Sequence, residues 1–324
     1  MTRLITKDDI RDSLIKGQQR GWDFIFSKLI SSNTSRTKTA FSKSAKISSN
    51  WWNIPEVKKR WNKKISDNEN INYEEYLLNT ILKNKKDLKL LSLGSGECYH
   101  EIELAHQDNF NKITCVDFTP IRISEAKKAA QKEKLKNIEF VCADIENYNI
   151  QKNYYDIVLF NASLHHLKNV ESLLSKKINY CLKDAGLLII NEYVGPSRLQ
   201  FTKFQLKKIN EAIITIPKKF RKNFNSSIYK NNFSGPGIIR MIIADPSECI
   251  DSENIMPTIH KHFETIIEKP YGGNILMNVL KDISHHFIVL NDEKKEVLDK
   301  LFLLEDDYLI HNNSDFIFGV YKKL

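Results

Sequence analysis

The stretch that most constrains this chain is Leu88-Lys89-Leu90-Leu91-Ser92-Leu93-Gly94-Ser95-Gly96. An apolar run followed at once by two glycines reads as a buried strand that ends in a tight turn. Glycines at 94 and 96 carry no Cβ, so this turn brings backbone N–H groups close to a ligand, and Glu97 to Ala105 continues as a helix. Strand, glycine turn and helix open the nucleotide-binding half of a doubly wound sheet. The rest of the chain must complete that sheet or cover the site.

The pattern then repeats. Lys112 to Asp117 is a second short apolar strand, ending in a carboxylate 23 positions after Gly94. Ile121 to Lys134 is a helix, Ile138 to Asp144 a third strand, and Tyr155 to Phe160 a fourth. A helix from Val170 to Leu182 leads to a turn at Lys183-Asp184-Ala185-Gly186 and a fifth strand, Leu187 to Glu192. Later come a sixth strand at Phe263 to Lys269 and a seventh at Asp315 to Tyr321. Strands alternating with helices at this spacing predict an α/β fold, a doubly wound, mostly parallel seven-stranded sheet with ligands at the strand C-termini. Asp117, Asp144, Asn161 and Glu192 fall there.

At 324 residues the chain exceeds one ordinary domain. Residues 1–87 read as a helical N-terminal extension or lid, 88–194 as the binding core, 195–262 as an insertion between strands 5 and 6, and 263–324 as the part that completes the sheet. In the extension, residues 8–30 form an amphipathic helix, with Trp22, Ile25, Phe26 and Leu29 on its apolar face. Residues 31–50 are a Ser/Thr/Lys/Asn-rich linker or lid. Pro55 suits the first turn of a helix. Trp51, Trp52 and Trp61, three tryptophans in eleven residues, need core or a ligand ring to pack on. Beyond the core, helices are expected at Leu199–Ile216, Ser252–Phe263, Asn274–Ile283 and Glu293–Leu304.

With 41% hydrophobic and 27% charged residues the chain has the composition of a soluble globular protein. No apolar run is long enough to span a membrane, and the charged start Met1-Thr2-Arg3 lacks a secretory core, so a cytoplasmic location without a membrane partner is expected. The five cysteines stand singly, without Cys-x-x-Cys spacing, which predicts reduced thiols and no metal site. Cys98, Cys115 and Cys142 lie in or beside apolar strands and are expected to be buried. The net charge of +9 is uneven. Residues 88–202 hold 14 basic and 14 acidic side chains, whereas 203–240 hold nine basic and one acidic. Such a segment either attracts an acidic partner or is solvated surface.

Taken in order, Leu91-Ser92-Leu93-Gly94-Ser95-Gly96, Val116-Asp117, Cys142-Ala143-Asp144-Ile145, Asp156 to His166 and Leu182 to Ile190 resemble the class I S-adenosylmethionine-dependent methyltransferases, which have a Rossmann-like fold. The resemblance covers roughly residues 88–192, and the last two strands are consistent with that family's terminal β-hairpin. It implies S-adenosyl-L-methionine as cofactor and S-adenosyl-L-homocysteine as product. It also implies that Gly94, Ser95 and Gly96 lie against the methionine and ribose, that Asp117, followed by Phe118, accepts from the ribose hydroxyls, that Asp144 and Ile145 meet the adenine, and that Asn161 and Ala162 lie beneath the methionine. Ser92 stands where many relatives have an acidic residue, so the cofactor's α-amino group needs another acceptor.

Sulfonium chemistry needs alignment above all, because the methyl group is already activated. A hydroxyl acceptor also needs a base, and histidine's reference pKa of ~6.5 suits that task. His165 and His166, just past the fourth strand, and Glu192, at the end of the fifth, are the candidate catalytic residues. Tyr193, Arg198, Trp52, Trp61 and Tyr271 are the candidate acceptor-binding residues, with Arg198 suited to an acidic group. The leading expectation is methyl transfer to oxygen or nitrogen of a small molecule, such as a sugar or a secondary-metabolite intermediate. An RNA or protein methyltransferase that uses the basic segments, or an inactive cofactor-binding protein, is the alternative. The absence of an Asn/Asp-Pro-Pro-aromatic signature and of an RNA-binding module weighs against nucleic acid.

Overall fold

The structure, a computed structural model, describes residues 2–20 and 49–324. Residues 21–30 of the expected first helix, with Trp22, Ile25, Phe26 and Leu29, and nearly all of the 31–50 stretch lie outside the described residues. Among the described residues, the α-helices ahead of the sheet are α1 (Lys7–Arg20), α2 (Pro55–Ser66) and α3 (Tyr73–Asn79). The sheet begins with β1 (Leu88–Leu93), α4 (Tyr99–Ala105), β2 (Phe110–Asp117), α5 (Pro120–Lys132), β3 (Ile138–Cys142), β4 (Tyr155–Asn161) and β5 (Leu182–Tyr193). Then follow α6 (Lys203–Thr215), α7 (Ile238–Ala244), α8 (Ile255–His262), β6 (Phe263–Gly272), α9 (Leu276–Leu280), α10 (Asp292–Leu309) and β7 (Phe316–Lys323). Among the described residues no helix is long and apolar enough to cross a membrane.

The seven strands form one sheet in the order β3-β2-β1-β4-β5-β7-β6. The pairs β1–β2, β1–β4, β2–β3 and β4–β5 are all parallel. Leu90 stands between Ile113 and Ile157, and Leu91 between Thr114 and Val158. Central strands covered on both faces must be apolar nearly throughout. Leu90, Leu91, Leu93, Val116, Val158, Phe160, Leu188 and Ile190 are accordingly buried.

Sheet geometry changes two sequence expectations. The Lys183–Gly186 turn is not a prelude to β5 but an excursion within it: Tyr155 pairs with Leu182, and Ile157 already pairs with Leu187. Lys183 is held there by Asp156, whose Oδ1 lies 2.8 Å from its Nζ. Cys98 and Cys115 are buried, but Cys142 is exposed. Its strand, β3, is at the edge of the sheet, and none of its residues is fully covered. The seventh strand inserts between β5 and β6. The helix between β4 and β5 forms as expected, but its middle, Leu173–Ile178, is π-helical.

The chain divides into two compact units. The sheet unit comprises Lys64–Val194, Cys249–Lys269 and Ile317–Leu324. Its core joins Leu91, Leu93, Val158 and Phe160 to Leu174, Ile178, Ile255 and Ile259. The helical unit comprises Met1–Lys63, Gly195–Glu248 and Pro270–Phe316. There Trp51, Ile54 and Val57 pack with Ile209 and Ile213 of α6, Leu276 and Val279 of α9, and Leu298 and Leu301 of α10. A buried carboxylate organises this unit. Glu305 Oε1 accepts from the backbone N–H groups of Gly273, Ile275 and Leu276 at 3.0, 3.0 and 3.1 Å. Those donors at the start of α9 have no intrahelical partner, and Glu305 supplies one from another helix.

Candidate active site at the strand ends

The glycine turn follows β1 as the sequence requires. Gly94 and Gly96 have φ of +74° and +58°, which L side chains rarely adopt. A Cβ on Gly94 would stand 2.6 Å from the Cβ of Ser163, so the turn and the loop after β4 approach closely only because that residue is glycine. Gly94 N donates to Val116 O at 2.8 Å, which ties the turn to β2. Ser163 Oγ donates to Leu93 O at 2.7 Å, which ties it to β4.

Asp117 ends β2 and is buried. Its Oδ2 accepts from Gly96 N at 3.0 Å and its Oδ1 from Thr119 N at 2.7 Å. A carboxylate has roughly four acceptor positions, so each oxygen keeps capacity for a further donor. Phe118 is half-buried beside it. Asp144, exposed past the end of β3, accepts from Glu146 N and Asn147 Nδ2, both at 3.0 Å. Ile145 is buried, its Cδ1 3.8 Å from where a Gly94 Cβ would be. Asn161 Oδ1 accepts from Asn191 Nδ2 at 2.9 Å, and Ala162 holds a φ of 50°.

Two of the three catalytic candidates, His165 and Glu192, meet directly. Glu192 is buried, and its Oε2 lies 2.7 Å from His165 Nδ1. Its Oε1 accepts from Leu164 N at 2.7 Å and from Ser163 N. One carboxylate thus anchors the loop after β4 and orients a histidine on it. His166 lies against His165, ring centroids 4.2 Å apart, and the Tyr193 ring stands edge-on at 6.3 Å.

The remaining acceptor-binding candidates belong to the helical unit. Arg198 donates through Nη1 to Glu248 O at 3.0 Å and through Nη2 to Pro246 O at 2.7 Å, so it pins the 246–248 loop. Trp61 and Tyr271 share an aromatic cluster, with centroids 5.6 Å apart. Trp51, not Trp52, is the buried tryptophan beside them, 4.7 Å from Trp61, whereas Trp52 is 46% exposed.

Sequence reasoning did not single out three contributors. Ser163 locks the glycine turn to β4. Lys177 donates to the carbonyls of Ile145 and Glu146 and so holds the loop after β3. Glu101, on α4, is buried with its Oε1 2.6 Å from Ser92 Oγ. None carries a local motif, because each works through a partner distant in sequence.

Residues 84–271, more than half of the chain, match the family described as a methyltransferase domain. This chain belongs to that family. The methyltransferase fold and its cofactor, S-adenosylmethionine, agree with the site: a cradle closed to any Cβ at Gly94, a buried Asp117 with acceptor capacity, and apolar Ile145 gather at neighbouring strand ends. Among relatives, this chain is 28% identical to a malonyl-(acyl-carrier protein) O-methyltransferase of Bacillus cereus over 106 residues, 33% of this chain and 38% of that protein. It is 30% identical to a ubiquinone biosynthesis O-methyltransferase of Rickettsia prowazekii over 163 residues, 49% of this chain and 60% of that protein. The chain spans about two-fifths of the length of two of the malonyl relatives, 38% in Bacillus cereus and 45% in Bacillus anthracis. A solved geranyl diphosphate C-methyltransferase from Streptomyces coelicolor aligns over 78% of this chain and 79% of its own, with a TM-score of 0.48 and 9% identity.

Proposed function

We propose that this chain transfers a methyl group from S-adenosylmethionine to an oxygen of a small molecule, with His165 as the base that takes the acceptor's proton. When bound, the cofactor supplies an activated methyl group. The observation that carries the reading is the buried 2.7 Å contact between His165 Nδ1 and Glu192 Oε2. A carboxylate at Nδ1 retains the proton there and leaves Nε2 as the basic nitrogen. The relatives are named as O-methyltransferases, which supports an oxygen acceptor over nitrogen. Backbone amides of the Gly94–Gly96 turn, Asp117, Asp144 and Ile145 bind the donor in this reading, and Asn161 and Ala162 line it.

The charge distribution supports a small acceptor over a nucleic acid. Of the basic side chains in 203–240, Lys207 and Lys208 pair with Glu211, Lys219 with Glu293, and Arg240 with Asp9 and Asp12. Lys230 is buried and donates to the carbonyls of Asn278 and Lys281. Arg240 and Lys230 are engaged inside the fold and contribute little to a polyanion-binding face, while the lysine pairs lie at the surface.

The test is incubation with labelled S-adenosylmethionine and a cell extract, separated into small-molecule, RNA and protein fractions. Label in the small-molecule fraction is expected; label in RNA or protein alone would overturn the reading. With the acceptor in hand, His165→Ala should lower kcat by about 10²–10⁴-fold while S-adenosylhomocysteine binds as before. An unchanged kcat would remove His165 from the role of base.

A further inference from the structure

Beneath the glycine turn lies a carboxylate that the proposed reaction does not use. Glu101 is 1% exposed, and its Oε1 takes the Ser92 hydroxyl at 2.6 Å. Its Oε2, equally buried, has no hydrogen-bond partner among the described residues. Buried carboxylate oxygens without a donor are rare in folded proteins, and each one calls for an explanation. Ser92 is the next-to-last residue of β1, two before Gly94. Its side chain is a buried hydroxyl with no charge of its own. A carboxylate comes instead from α4, nine positions on, and its Oε1 is fixed to the strand by that hydroxyl.

We propose that Glu101, oriented by Ser92, supplies the negative charge that recognises the α-ammonium group of the cofactor's amino-acid moiety at the glycine turn. The inference rests on the S-adenosylmethionine reading of the site. An ammonium donor arriving with the ligand would satisfy the open Oε2 and favour the ionised carboxylate over the protonated form that burial favours. The other titratable groups around Glu101 are His100 on α4, Glu74 on α3 and Cys115 on β2.

Two ligands separate this role from a merely structural one. S-adenosylhomocysteine carries the ammonium group; 5′-methylthioadenosine has the same thioether nucleoside without the amino acid. By titration calorimetry, Glu101→Gln should weaken S-adenosylhomocysteine by about ten- to a hundredfold, the loss of one charge-assisted contact, and change methylthioadenosine by less than about twofold. Ser92→Asp combined with Glu101→Gln should restore S-adenosylhomocysteine binding, because the charge returns from the strand. Equal weakening of both ligands, or no weakening, overturns the proposal. If Glu101→Gln does not fold, the unaltered protein decides. Its preference for S-adenosylhomocysteine over methylthioadenosine should fall as the pH is lowered and Glu101 protonates, and a preference that stays constant down to the acid limit of folding overturns the proposal. Failure of the unaltered protein to bind either ligand would count instead against the cofactor reading.

Discussion

Asp117 holds the glycine turn with the same carboxylate that the proposed function gives to the cofactor. Its bonds to Gly96 N and Thr119 N are made inside the protein, so the turn is ordered before any ligand arrives. Asp117→Ala would leave two amides without their acceptor, each costing about 1–3 kcal/mol. The expected outcome is a lower urea midpoint together with at least about a tenfold loss of S-adenosylhomocysteine affinity by calorimetry. Glu192 likewise combines an anchoring and an orienting contact. Gly94 and Asp117 are legible in sequence because a strand end announces each of them. Glu101 and Ser163 are not, because their partners, Ser92 and Leu93, become neighbours only after folding.

Among elements, α9 shows how a helix too short to stand alone is retained. Its five residues, Leu276–Leu280, are fewer than the ten expected from Asn274 to Ile283, and helices of this length are unstable in isolation. Buried apolar contacts and the Glu305 carboxylate at its first amides hold it in place. Glu305→Ala would orphan three buried N–H groups, and we expect a loss of at least about 2 kcal/mol in urea unfolding monitored by tryptophan fluorescence. A loss below about 0.5 kcal/mol would show that water replaces the carboxylate as acceptor. The β5 excursion is also decided among elements: Gly186 read locally as a turn, but pairing with β4 on both sides of it makes it part of the strand.

At the scale of the whole molecule, a buried acid of the helical unit makes stability depend on pH. The Asp315 carboxyl is pushed up to about 7, first by burial and then by the nearby Glu305, against the hydrogen bond from Gln205. An acid whose folded pKa is raised binds more protons folded than unfolded, so its contribution falls as pH rises from about 4 to about 7 and then levels off. Asp315→Asn should therefore flatten that part of the stability profile and raise the melting temperature at pH 8 relative to the unaltered protein. A profile between pH 5 and pH 8 that keeps its slope in the variant would assign the dependence to other groups.

The sequence by itself determined the α/β fold, the strand inventory and the family. It could do so because central parallel strands must be apolar throughout, glycine turns are local, and strand-end carboxylates keep fixed spacing. Tertiary structure alone decided that β7 lies inside β6, that Cys142 on an edge strand is exposed, and that Trp51 rather than Trp52 joins the buried aromatic cluster. It also decided that Glu192 grips His165 and that a carboxylate from α4 meets Ser92. These outcomes depend on contacts between residues far apart in the chain, whose energies are set by burial and hydrogen-bond geometry and leave no periodic trace in the order of residues.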